Sequence, residues 1–177
     1  MHDPVAGDAM VSDGFWRFSL ALYSRPGVAP ALLRLQDRDG LDVNLILFAL
    51  WFGLARGGQL TRAAIEVTEA ATAGLRTQLV APLRNLRRGI KEHADDDIRQ
   101  LRAGVGKLEL TAERRLQRRL ALLAAPLPLP SGDDRLALAR GNLDRYLGER
   151  ATSSEAALVL RAAIALTRAA PGTDLGT

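Results

Sequence analysis

The chain contains no cysteine, which excludes disulfides, thiolate nucleophiles and zinc–thiolate sites. Its only histidines are His2 and His93, too few for an imidazole-rich metal site. No Ser-His-Asp arrangement is suggested by spacing either, since His93 would have to serve every role. Aromatic residues make up 5% of the chain, which disfavours an all-β fold. Lysine is confined to Lys91 and Lys107, so arginine supplies nearly all of the positive charge. The longest uncharged apolar run, Val43 to Ala55 with Asn44 inside it, falls short of the ~20 residues that span a bilayer. The opening segment "MHDPVAGDAMVSDG" lacks the basic-then-apolar pattern of a signal peptide, so a cytoplasmic location is expected.

What is present reads as one helical domain. The 177 residues are 47% hydrophobic and 25% charged, enough for a single buried core. Alanine, leucine and arginine are abundant, and all three favour helix. The net charge of +4 is unevenly spread. Residues 1–83 carry seven basic and eight acidic groups, residues 84–119 carry eleven and six, and the remainder balances at six and six. The positive excess therefore belongs to one middle segment.

Along the chain, residues 1–12 are expected to be a flexible N-terminus, with Asp13 as N-cap of a helix carrying Phe15, Phe18 and Leu22. "RPGV" breaks that helix, Pro30 sits in the first turn of the next, and Gly40 closes it. Asp42 precedes an apolar helix that "RGG" at 56–58 terminates. A helix over 60–80 places Leu60, Ala64, Val67, Ala71, Leu75 and Leu79 on one face, and Pro82 should kink it or start a new one. "HADDD" caps a further helix, "GVG" at 104–106 is read as an interruption, and another helix runs from about Lys107 to Ala124. The latter's expected buried stripe is Leu108, Ala112, Leu116, Leu120 and Leu123.

The Pro-rich stretch at 125–131 reads as a linker to a C-terminal helical hairpin, before a flexible tail at 171–177. Capping boxes are expected at Ser131 with Asp134 and at Thr152 with Glu155. Leu136, Ala139, Leu143 and Leu147 should line the first of these helices, and Leu158, Ala162, Ala165 and Leu166 the second. The fold expected over 13–170 is an all-α, single-domain bundle of about seven helices packed around Leu45–Phe52.

Three ligand motifs fail on inspection. "AGVGK" at 103–107 resembles a phosphate loop, but Leu101 and Leu108 occupy positions that require Gly and Ser or Thr. Asp37, Asp39 and Asp42 suggest a calcium loop until its fifth and twelfth positions prove to be Leu41 and Phe48. Asp95, Asp96 and Asp97 suit a helix N-terminus and lack the second acidic cluster of magnesium–diphosphate enzymes. No metal, cofactor or catalytic residue is assigned.

The segment "LVAPLRNLRRGIK" at 79–91 carries the strongest signal. Leu83, Leu86 and Ile90 share one helical face, while Arg84, Arg87, Arg88 and Lys91 follow i, i+3, i+4, i+7 on a neighbouring face. Acidic residues of other helices, Asp42 among them, answer these cations; or the stripe binds a phosphate, a carboxylate or an anionic protein surface. "ERRLQRRL" at 113–120 adds Arg114, Arg115, Arg118 and Arg119 outside a buried stripe. A combined patch would resemble a nucleic-acid footprint, but no aromatics interleave and no RNA-binding signature is present.

Asp42 and Asn44 stand at the mouth of "LDVNLILFALWFG". Asp42 suits an N-cap, whereas Asn44 must face solvent or find a partner. Two functional readings follow. One is a non-enzymatic binding or accessory protein that uses the arginine face for an anionic protein or small anionic ligand. The other is a small-molecule-binding protein or enzyme with a pocket near Trp16, Tyr23, Asp42, Asn44, Trp51 and Arg84.

The order of "FWRFSLALYSRPGVAPALLRLQDRDGLDVNLILFALWFG" (15–53), "VAPLRNLRRGIK" (80–91) and "AER" (112–114) resembles a small bacterial family of all-helical proteins with no assigned function. The resemblance covers the first two-thirds of the chain and implies a helical bundle. It supplies no catalytic residues.

Overall fold

Helix α3 (Val43–Leu54) is apolar around its whole circumference, and each of its twelve residues is buried. A helix with no polar face is stable in water only when other elements enclose it. The computed structural model, which describes residues 4–127, 129 and 134–169, shows how that is done. Around α3 lie α1 (Pro4–Tyr23), α2 (Val28–Asp39), α4 (Arg62–Leu75), α5 (Ala81–Gly89), α6 (Asp96–Ala124), α7 (Arg135–Leu147) and α8 (Ser154–Ala169). A π-helical segment, Arg76–Val80, joins α4 to α5 in one rod, so the described residues form seven separate helical bodies and no strand. None of these helices is long and apolar enough to cross a membrane.

Aromatic packing centres on α3. Phe15 of α1 meets Trp51 at 5.0 Å between ring centroids and Phe48 edge-on at 5.9 Å, while Phe52 stacks on Phe48. Helix α7 approaches α3 most closely, at Gly53, where an added Cβ would come within 2.4 Å of the Ala139 Cα. Glycine is needed there because the two backbones meet. Asn142, fully buried on the same helix, accepts from the Leu60 amide at 2.7 Å and donates to the Gly58 carbonyl at 2.9 Å. It thereby satisfies the backbone of the loop that leaves α3. Arg135 donates to the carbonyls of Leu54 and Ala55, covering the C-terminal end of α3. Helix α7 thus rests chiefly on α3, and α8 on α2.

Several local expectations need correction. Asp13 lies inside α1, which begins at Pro4, and caps nothing. The "GVG" interruption does not occur: α6 runs unbroken for 29 residues through Gly104 and Gly106. Each glycine costs a helix about 1 kcal/mol, which the packing of its C-terminal half outweighs. Pro82 lies in the first turn of α5, and the π-helical segment before it absorbs the lost donor. The buried residues of α4 are Ile65, Thr68 and Thr72, whereas Val67 is 61% exposed. The two threonines tolerate burial because their hydroxyls donate to the Ala64 and Thr68 carbonyls one turn back.

On α6, Ala112, Leu116 and Leu120 are buried as expected, but Leu108 is 60% exposed. The buried stripe of α8 is Ala156, Val159, Leu160, Ala163 and Leu166, turned from the one expected. Its cap is Ser153, whose hydroxyl accepts from the Ala156 amide, while Thr152 donates to the Glu149 carbonyl. Asp134 caps α7 directly. Residues 1–3, residues 128, 130 and 131 of the 125–131 linker, and the 171–177 tail lie outside the described residues, and Ser131 with them.

Gly53→Ala is expected to lower unfolding free energy by about 3 kcal/mol, because neither backbone can yield without moving a helix. Gly74→Ala, whose Cβ would meet nothing, is the control. Denaturant titration of both variants measures the difference.

Candidate functional site

The N-terminal end of α3 opens onto a cavity of about 570 Å³ enclosed by α1, α2, α3, α5 and α6. Leu20, Leu33, Leu47 and Leu110 supply apolar wall, with Trp16 and Tyr23 on the α1 side. Of the residues suggested by sequence for such a pocket, Trp16, Tyr23, Asn44 and Arg84 line it. Asp42 and Trp51 do not. Asp42 is the N-cap: its carboxylate accepts from the amides of Asn44 at 2.7 Å and Leu45 at 3.3 Å. Its own amide donates to the Tyr146 hydroxyl, a phenol that burial pushes upward in pKa. Trp51 lies wholly in the aromatic core.

Asn44 finds its partner on α6. Its side-chain oxygen accepts from the Gln117 amide at 2.9 Å, and both residues are only 3% exposed. Two amides joined by one bond leave a donor and an acceptor unused. Among the described residues the Gln117 side-chain oxygen has no hydrogen-bond partner, nor has the hydroxyl of Ser19, a residue that also lines the cavity. An unsatisfied buried polar atom costs about 1–3 kcal/mol, so this wall is poised for an incoming polar group.

One and two turns before Gln117 on α6 stands a charged cluster shared with α5. Arg84 donates to Glu109 at 3.2 Å, to Glu113 at 2.6 Å and to the Gln36 side-chain oxygen at 2.6 Å. Arg87 forms a fork on Glu109. Two guanidinium groups therefore face two carboxylates, and Arg88 pairs with Asp37 at 3.2 Å. The cations at 84, 87 and 88 are answered internally, though by Glu109, Glu113 and Asp37 rather than by Asp42.

The two glutamates differ in electrostatics. Burial pushes the carboxyl of Glu109 up, but the hydrogen bonds and charges of Arg87 and Arg84 outweigh it and hold it below the ordinary 4.5. At Glu113 burial dominates, and the carboxyl lies above 4.5 despite Arg84. Burial likewise raises the Tyr23 phenol.

The remaining predicted cations lie apart from the cavity. Lys91 is exposed and its nearest carboxylate, Glu92, is its neighbour in sequence. Arg114 pairs with Asp13 at 3.1 Å and lies over the Trp16 ring. Arg115, Arg118 and Arg119 are exposed and have no carboxylate partner among the described residues. The same residues hold no group of three or more His, Asp or Glu side chains arranged for a metal.

Sequence reading missed Gln36, Ser19, Glu109, Glu113 and Gln117. The last three did leave a trace, standing at i, i+4 and i+8 beside the buried stripe of α6, where a purely solvated face would not need a repeated acidic or amide residue.

Opposite pH behaviour is expected of the two glutamates. A carboxylate with lowered pKa stabilises the fold above its ordinary value and loses that contribution as pH falls through the folded pKa. A carboxylate with raised pKa does the reverse, its contribution being full at low pH and lost as pH rises from 4.5 through the folded value. Glu109→Gln should therefore cost about 3 kcal/mol near neutrality and flatten the acid limb of the stability profile. Glu113→Gln should be neutral or stabilising near neutrality. Denaturant midpoints over a pH series distinguish them.

All of the cavity's lining residues fall between Trp16 and Gln117. The family model described as a protein of unknown function (DUF2390) matches residues 14–120, and so contains the whole cavity while ending before α7. No curated protein and no solved structure matches the chain. The match spans more than half of the sequence, and the chain belongs to the DUF2390 family.

Proposed function

We propose that the chain is a binding protein for a small amphipathic molecule, held in the cavity at the N-terminal end of α3. The observation that carries this reading is that two residues lining a largely apolar cavity, Gln117 and Ser19, each hold a buried polar atom without a hydrogen-bond partner among the described residues, the Gln117 carbonyl oxygen and the Ser19 hydroxyl. The volume of about 570 Å³ suits a small organic ligand. A ligand with an apolar body would cover the leucines and lie against Trp16. Its head group would donate to Gln117 and accept from Ser19 or from the free hydrogens of Asn44.

The charge balance favours a neutral head group. Arg84 and Arg87 are matched by Glu109 and Glu113, so an anion entering the cavity would have to displace a carboxylate from hydrogen bonds it already makes. This weighs against the reading in which Arg84, Arg87 and Arg88 capture an anionic protein, nucleic acid or small anion. What stays available for such a role is the exposed group Arg115, Arg118 and Arg119.

Octanamide and octanoate are suitable probes, since they share an apolar chain and differ in the head. Octanamide should raise the melting temperature and bind about tenfold more tightly than octanoate by calorimetry. Gln117→Leu and Ala29→Phe should abolish that binding, the first by removing the acceptor and the second by filling the cavity, while Arg118→Glu, outside the cavity, should leave it unchanged. Equal binding of both probes, or none of either, would overturn the proposal.

A further inference from the structure

The outer face of α6 carries one continuous stripe over residues 97–115. Asp97, Leu101, Leu108 and Arg115 fall within about 40° of one another around the helix, forming a stripe about 27 Å long. One end is acidic, the centre apolar and the other end basic. Leu101 is 64% exposed and Leu108 60% exposed, unusually open for leucines spaced seven residues apart. Ile98 and Val105, which complete a 3-4 spacing with them, are half-buried. Neither the Asp97 carboxylate nor the Arg115 guanidinium has an ionic partner among the described residues.

Gly104 adds an independent observation. It stands in the middle of a 29-residue helix, where glycine costs stability relative to alanine, and a Cβ placed there would meet nothing within 4 Å. No contact among the described residues requires this glycine. A second backbone approaching from outside would.

We propose that this stripe is a self-association surface, and that its partner is a second copy of the same helix packed antiparallel across a two-fold axis level with Gly106. A two-fold interface must be complementary to its own inverse, and this stripe is. With the axis at that level, Asp97 of each copy lies level with Arg115 of the other. Leu108 lies level with Gly104 and Leu101 with Thr111, so each leucine meets a small residue and the helices can approach closely. A parallel arrangement would set acid against acid and base against base. The cavity opens on the opposite side of the α5–α6 pair, where Glu109 and Glu113 lie, so association leaves it accessible.

Sedimentation of the full chain across the micromolar range tests the proposal. The expected result is a concentration-dependent dimer that weakens as salt is added. Gly104→Phe should leave the chain folded, because the monomer has open space there, and should abolish the dimer. Asp97→Arg and Arg115→Asp should each weaken association about tenfold, and the double variant should restore it. Circular dichroism and thermal melts confirm folding of each variant. A chain that stays monomeric throughout, a dimer that survives Gly104→Phe, or a double variant that fails to recover would each overturn it.

Discussion

Everything in this fold follows from a helix that has no face to give to water. Because α3 is buried around its full circumference, α1, α2, α6, α7 and α8 all pack against it, while α4 and α5 pack on α6. The aromatic residues of α1 and α3 fill the centre, while Gly53 and Ala139 bring α7 within backbone contact. Only the two ends of α3 can carry polar groups, and each is closed by a residue distant in sequence. Arg135 covers the carbonyls at one end, and at the other the Tyr146 hydroxyl accepts from the backbone amide of Asp42, the capping residue.

The cavity is a consequence of that arrangement. Asn44 lies in the first turn of an apolar helix, where its amide needs a buried partner, and Gln117 answers it from α6 across 73 residues of chain. Holding α6 at that distance leaves space between α1, α2 and α5. The charged cluster then fixes the outer wall, since Arg84 binds residues of both α2 and α6 at once. Internal pairing of the arginines and openness of the cavity are thus one fact, because the pairs act as struts.

The fold was legible in the sequence to the extent that one residue type decided each element. Asp42 as a cap, Gly40 as a stop and the apolar run at 43–55 as a buried helix each follow from local chemistry, and the structure has all three. The misreadings have a common cause. In α4 the buried face carries threonines whose hydroxyls are satisfied within their own helix, so hydrophobicity alone pointed to Val67 instead. In α6 the glycines read as breaks because nothing local showed the packing that holds the helix through them. The arginines at 84, 87 and 88 were visible as a stripe, yet their partners lie on α2 and α6, and pairing over such separations leaves no mark in a window of one helix.

The chain's two tryptophans stand in different worlds. Trp51 is sealed in the aromatic core against Phe15, while Trp16 borders the cavity beneath the guanidinium of Arg114. Their emission therefore reports on separate events. Loss of the core changes the blue-shifted signal of Trp51, and occupation of the cavity changes that of Trp16 with the core intact. A single-tryptophan version retaining Trp16 turns the protein into its own optical sensor for whatever the cavity holds.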